Sequence, residues 1–393
     1  METNIGLFNE SFPPIMDGVA ICVENYAKWM QKMAGGVSVI TPSVSGADYS
    51  KYDFEVLDYF SIPVPFRKPY VAGIGEVDPT FLAKIVKRPF KIVHAHSPFI
   101  AGRIASHVAS LRNIPLVATF HSKYREDFSR VIPSDMLVNQ AIKLVVEFYE
   151  RADEVWVPQE SVIDVLREYG YKGPVEVVMN GSDLVADYPD AYFADARNQL
   201  GIAPDEFALL FVGQHIWEKN VRMIIDALEQ LKDIRFRMFF VGTGYAASDM
   251  KKLVSEKGLE DRVTFAGVIK DREALKQYYA AADLFLFPSL YDTDGIVVKE
   301  AAALHTPSIM LETATAASIL RNDDNGFVVP DSLEAFTARI RALAGDPERV
   351  RRVGLQASRT LVRSWEDVVG EVLDRYNHII GRKYLIPINK PRK

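Results

Sequence analysis

Cysteine is almost absent from this 393-residue chain: Cys22 stands alone, which excludes an internal disulfide and any zinc site built on several thiolates. No stretch approaches the roughly 20 consecutive apolar residues that a bilayer crossing needs. The opening Met1-Glu2-Thr3-Asn4 has neither a basic nor an apolar run, so no secretory leader is expected and the default compartment is cytoplasmic. Positive charge is not in excess. The 46 Lys and Arg against 52 Asp and Glu leave a formal net charge of -6, which argues against a nucleic-acid partner. No Gly-x-Gly-x-x-Gly follows the first apolar stretch at 5–8, so a nicotinamide-dependent oxidoreductase ranks last among the readings of this chain. His94 and His96 can face one side of a strand, but no carboxylate or cysteine joins them in sequence. No metal site and no bound cofactor are expected.

What is present is the composition of a soluble globular protein, 48% hydrophobic and 25% charged, in a chain too long for one ordinary core. Short runs of Val, Ile and Phe alternate with longer amphipathic segments, the pattern of an α/β protein built from βαβ units. Strands are expected at 5–8, 37–41, 92–96, 116–121, 155–158 and 175–179, and the pattern restarts at 209–213, 236–242, 263–267, 284–288, 308–311 and 327–329. A half-buried helix is expected over 218–232, with Val221, Ile224, Ile225 and Leu228 on one side. Asn180-Gly181-Ser182-Asp183 and the aperiodic polar stretch to about Asn198 separate the halves. The expected domains are 1–185 and 186–364, with a last helix, over 368–380 behind an N-cap Ser364, and a basic tail in 365–393.

In open α/β sheets ligands bind beyond the carboxyl ends of the strands, so the loops leaving those ends matter most. Gly18 opens a helix after the first strand; it lets backbone N–H groups approach a phosphate or sugar, or it merely serves a tight turn. His121, at a strand tip, can hydrogen-bond a sugar or move a proton, or be a satisfied structural residue. Val212-Gly213-Gln214-His215 leads to Lys219 at a helix opening. One lysine contact to a diphosphate at about 4 Å is of order 4 kcal/mol at an effective dielectric near 20, before desolvation. Gly295 precedes an expected helix from Ile296 to Leu304, whose free N–H groups and positive dipole end would face the same diphosphate. Asp292 and Glu300 flank that turn. Glu300 can accept both hydroxyls of a ribose, whereas Asp294 is expected to cap the helix. The loop Gly267-Val268-Ile269-Lys270-Asp271 could clamp a base edge or be an ordinary loop.

Taken in order, these residues resemble a retaining glycosyltransferase of family four, the group 1 type. The likeness covers nearly the whole chain: Gly18, His121, the Asn180-Gly181-Ser182-Asp183 hinge, Val212-Gly213 through Lys219-Asn220, and Val241-Gly242-Thr243-Gly244. It continues through Ala282-Asp283 to Pro288-Ser289, an acid separated by seven residues from Glu300, Asn325-Gly326, and Trp365-Glu366. The resemblance implies a GT-B fold, two facing Rossmann-like domains with a last helix crossing back to the first. It implies a nucleotide-sugar co-substrate, held mainly by the second domain, and no metal. By that likeness Lys219 and the amides near Gly295 and Ile296 hold the diphosphate, Glu300 the ribose, and Asp292 and His121 the sugar. Gln214 and Ile269 also line the donor, with Gly18 on the phosphate side. Catalysis falls to His121, Asp292 and Lys219. Gln214 stands where the family usually has arginine, Asp292 where it has glutamate, and Asp294 where an aromatic is common.

Two stretches are similar to members that glycosylate diacylglycerol or ceramide with an α linkage, using glucose or galactose from UDP. They are His96 to Gly102 and His121 to Phe128, and they make Phe99 and Tyr124 acceptor candidates. The interval 65–91 carries Lys84, Lys87 and Arg88 among six cations, against Glu76 and Asp78, interleaved with Phe66, Tyr70, Phe81, Ile85 and Phe90. Such a surface can lie on an anionic leaflet at about 1 kcal/mol per cation, or be a solvated face over an ordinary core. Peripheral contact with the inner face of the membrane follows from the first reading. A soluble sugar or polysaccharide acceptor, or a non-catalytic sugar-nucleotide binder, are the alternatives.

Overall fold

The computed structural model describes residues 4–64, 70–75 and 78–385. Its contacts divide the chain into two compact units, Met1–Asn180 with Trp365–Lys393, and Gly181–Ser364. The division falls at Asn180, five residues before the expected 185.

The first unit contains β1 (Ile5–Phe8), β2 (Val37–Pro42), β3 (Glu55–Tyr59), β4 (Ser61–Pro63), β5 (Val71–Gly73), β6 (Ile92–Ala95), β7 (Leu116–Thr119), β8 (Glu154–Val157) and β9 (Glu176–Val177). Seven of these make one parallel sheet in the order β3-β2-β1-β6-β7-β8-β9, while β4 and β5 pair antiparallel as a small ribbon. Strands β3, β4 and β5 carry no signal in the hydrophobic pattern, because they are short and half-exposed at an edge. Central strands β1, β6 and β7 are buried throughout, as a parallel sheet covered on both faces requires.

Helix Gly18–Ala34 begins where the Asp17 carboxylate accepts a hydrogen bond from the Ala20 N–H at 2.8 Å. Its residues Val23, Tyr26, Ala27 and Met30 recur at helical spacing and are buried. The last helix, Trp365–Leu385, is longer than the expected 368–380. It belongs to this first unit although 184 residues of the other unit precede it (181 to 364). Three aromatic contacts explain why. Trp365 meets Tyr26 edge-on at 5.4 Å, Tyr376 stacks on Trp156 at 5.7 Å, and the Tyr376 hydroxyl lies 2.6 Å from His94 Nδ1.

The second unit contains β10 (Phe207–Val212), β11 (Phe236–Val241), β12 (Val263–Gly267), β13 (Leu284–Leu286), β14 (Ser308–Leu311) and β15 (Phe327–Val329), all parallel, in the order β12-β11-β10-β13-β14-β15. This is the doubly wound arrangement, and its strand order reverses between β10 and β13. In the first unit the reversal falls between β1 and β6. Both are α/β units of Rossmann type, as the alternation in the sequence predicts.

His94 is wholly buried, and its other nitrogen, Nε2, is held by the Thr119 hydroxyl at 2.7 Å. Tyr376→Phe therefore strands Nδ1 without a partner, which costs about 1–3 kcal/mol. Urea unfolding of the variant should show that loss. An unchanged midpoint would mean the helix is held by ring stacking alone.

Candidate functional site

The second unit's reversal point brings together the loops after β10 and β13. Gly213, leaving β10, has φ 153, and a methyl group built on it would lie 3.5 Å from Lys219 Cδ. The loop after β11 presses on it from the other side. Gly242 has φ 131, and any side chain there would collide with the Gly213 carbonyl. Lys219 ends a short 3-10 turn, Trp217–Lys219, and the α-helix begins only at Val221, correcting the expectation of one helix over 218–232. Asn220 between them sits at φ 55, a left-handed conformation that asparagine tolerates better than most residues. Val221, Ile224, Ile225 and Leu228 are buried as their spacing requires.

Lys219 Nζ reaches the Asp292 carboxylate at 2.8 and 3.0 Å, and Ser289 donates to the same carboxylate at 2.6 Å. The ammonium also lies 5.4 Å from the centre of the Phe287 ring. Gly295 lies against that same ring: a methyl group added to it would come within 3.2 Å of Phe287. Lys219, Asp292 and the Gly295 turn therefore converge. Gly295 has φ 59 and is the N-cap of helix Ile296–Ala303, with no side chain capping it. The first N–H groups of such a helix lack intrahelical partners and carry its positive dipole end.

The N-cap position falls on Gly295, one residue after Asp294, the residue expected to cap the helix. Asp294 accepts from Lys299 Nζ at 2.6 Å, across the turn. Glu300, 3% exposed, is held at one oxygen by Arg272 at 2.7 Å and at the other by the Tyr279 hydroxyl at 2.7 Å. Arg272 also holds Asp183. Burial works against the Arg272 charge, but Glu300 and Asp183 outweigh it and raise its pKa. Burial and then Glu300 push the Tyr279 hydroxyl well above its ordinary value, so it stays protonated and donates. The carboxylate retains free lone pairs for two further donors. Gln214 is half-buried, and its carbonyl accepts from the Ile216 N–H at 3.0 Å. Ile269 packs against the unit's core, with Val268 beside it exposed.

Sequence reasoning missed four participants. Arg272 and Tyr279 lie on a helix, Arg272–Ala281, whose charge pattern reads as ordinary surface, and Lys299 is a single cation in the apolar helix Ile296–Ala303. His215 is 2% exposed, packed against Phe211, Phe240 and Phe265, with Nε2 unpartnered. Burial first, then Lys251, lowers its pKa to about 4.

Gly18 has an ordinary φ, and a methyl group on it would meet nothing within 4 Å, so no backbone strain demands glycine there. His121 Nε2 lies 3.0 Å from His96 Nδ1. Burial, then neighbouring imidazoles, hold His94 and His96 well below the ordinary histidine pKa, so both are neutral. The structure does bring a cysteine to this group: ligand atoms of Cys22, His96 and His121 lie within 4.8 Å of one another. These donors suit zinc, but His96 and His121 are bonded to each other and Cys22 donates to Asn180 at 3.1 Å.

Tyr124, proposed for the acceptor, is turned inward among Phe120, Tyr149 and Tyr169, where burial raises its pKa. Phe99 remains 38% exposed, packed edge-on against Tyr124 at 5.4 Å. The amphipathic reading of 65–91 is corrected in part. Phe81, Ile85 and Phe90 are core residues, while Lys84 and Lys87 face outward and Arg88 pairs with Glu55. Phe66, Arg67, Lys68 and Glu76 lie outside the described residues. No helix among the described residues is long and apolar enough to cross a membrane.

Comparison with known proteins supplies the next constraint. Residues 16–185 match the model of Glycosyltransferase Family 4, and residues 193–360 that of Glycosyl transferases group 1. The chain belongs to this glycosyltransferase family. It is similar to an alpha-monoglucosyldiacylglycerol synthase of Streptococcus pneumoniae, 27% identical across 78% of this chain and 70% of that protein. The enzyme of the same name from Acholeplasma laidlawii is 25% identical across 96% of this chain and all of its own length. Among solved structures, Anabaena HepE in complex with UDP and glucose superposes with a TM-score of 0.78 at 19% identity, covering 95% of this chain and 99% of that one. That likeness shows the GT-B fold.

In this glycosyltransferase, buried neutral His215 makes a testable contribution to pH dependence. Its folded pKa lies below the unfolded value of 6.5, so the stability it lends is full above that value and falls as pH drops toward about 4. His215→Leu removes the titrating group. The melting temperature of the variant relative to the parent should rise between pH 7.5 and 4.5. A constant difference would show that His215 protonates without penalty.

Proposed function

We propose that this glycosyltransferase moves a hexose, glucose or galactose, from a UDP-sugar to a diacylglycerol- or ceramide-type lipid, with retention of the α configuration. The observation that carries the donor half is the convergence of Lys219, the Gly295 turn and Glu300 at the reversal point of the second sheet. A cation, a helix N-terminus and a buried carboxylate are what a diphosphate and a ribose require. Lys219 and the amides after Gly295 neutralise the diphosphate, so the chemistry needs no metal. Glu300, pre-aimed by Arg272 and Tyr279, takes the ribose hydroxyls, and Ile269 and Gln214 lie along the nucleotide. Asp292 releases Lys219 to the phosphate and turns to the sugar.

In the transfer step the bond from C1 to the diphosphate oxygen breaks and the acceptor oxygen bonds C1 on the same face. The departing phosphate oxygen takes the acceptor's proton. The protein's part is electrostatic preorganisation. His121, held by His96, serves the sugar as a hydrogen-bonding group. The lipid acceptor rests on the names of the relatives above and on exposed Phe99. Lys84 and Lys87 remain as cations for an anionic leaflet, in a protein placed in the cytoplasm at the inner face of the membrane.

Lys219→Ala and Glu300→Ala should each weaken UDP-sugar binding about 100-fold or more by calorimetry, the scale expected from losing a charged contact, with circular dichroism unchanged. Normal binding by both would remove the donor site. Incubation with UDP- and GDP-sugars and extracted lipids, read by mass spectrometry, should yield a monohexosyl lipid. Product only with soluble saccharides would favour the polysaccharide alternative, and binding with no turnover a non-catalytic role.

A further inference from the structure

Asp294 is an acid placed immediately before the Gly295 turn, where the proposed reading puts a diphosphate and where resembling enzymes commonly carry an aromatic. Left to itself, a carboxylate there opposes an anionic ligand. Five residues on, Lys299 occupies a buried run, Val298 to Ala303, that is otherwise aliphatic except for Glu300. Lys299 is 1% exposed and Asp294 6%. Lysine is almost never so buried unless paired, and here its ammonium lies 2.6 Å from Asp294 Oδ1. Between the two in sequence is Gly295, whose φ of 59 sets the direction of the helix start. Lys299 thus does two things at the turn. It cancels the charge of Asp294, and it ties the residue before the turn to the helix after it.

We infer that Lys299 and Asp294 are a positioning pair for nucleotide binding, substituting a buried ion pair for an aromatic beside the phosphate turn. The inference rests on the donor site proposed above. Its signature is an asymmetry of sign. Removing the cation leaves a buried anion beside the phosphate, removing the anion leaves a buried cation, and removing both restores neutrality.

The test is UDP binding by calorimetry and donor kinetics on the full-length protein. K299M should weaken UDP about 10-fold or more and raise the donor KM with a smaller effect on kcat. D294N should tighten UDP about threefold, since Lys299 then faces the phosphate uncompensated. The double variant D294N/K299M should return toward the parent, and K299R should retain most of the affinity. A purely structural pair would give weaker binding in D294N and additive losses in the double variant, and either result overturns the inference. Where K299M fails to fold, D294N and K299R decide the matter alone. K219A separates the two readings. If K219A binds UDP normally, the donor site is wrong. If K219A abolishes binding while K299M binds like the parent, only the positioning pair is wrong.

Discussion

The ion pair between Lys219 and Asp292 is the constraint on which the second unit's site depends. Without a ligand, a lysine 11% exposed at its side chain needs a counter-charge, and Asp292 supplies it at 2.8 Å. The same logic is repeated twice within a few residues: Lys299 answers Asp294, and Arg272 answers Glu300. Three acids crowd the Gly295 turn, two of them answered by a lysine each and Glu300 by an arginine it shares with Asp183. Every cation of the turn is already paired with an acid, so on the donor reading proposed above a diphosphate has to compete with Asp292 for Lys219. Shorter by one methylene than the glutamate usual in the family, Asp292 is also steadied by Ser289.

The first unit rests on a different economy, neutral and hydrogen-bonded. His94 and His96 rings lie 4.0 Å apart, with His94 bonded to Tyr376 and Thr119, and His96 to His121. Burial, then the neighbouring imidazoles, keeps His94 and His96 uncharged, which lets their rings pack this closely. The last helix closes this network from the far end of the chain, and its aromatic residues, not its charges, set where it docks. Residues 78–91 follow the same rule. The sequence alternates cations with Phe81, Ile85 and Phe90, but a helix of eight residues, Pro79–Val86, turns Phe81 and Ile85 into the core and leaves Lys84 and Lys87 outside.

Strand positions, the α/β class and the Gly295 helix were legible in the amino-acid order, because local periodicity and glycine placement depend on near neighbours. So was the convergence of Lys219 with Gly295, once a doubly wound sheet is granted, since its reversal point must join the loops after the first and fourth strands. Strands β3, β4 and β5 were not legible, being too short and too exposed to leave a period. The break at Asn220 was hidden too, because an asparagine inside an amphipathic run looks like any polar position. Only the tertiary structure decided the partners: Arg272 and Tyr279 for Glu300, Lys299 for Asp294, Cys22 beside His96, and Tyr124 facing inward. Pairing of this kind is settled by distances across elements far apart in the chain and by how much water burial removes, and neither is written in spacing along the sequence.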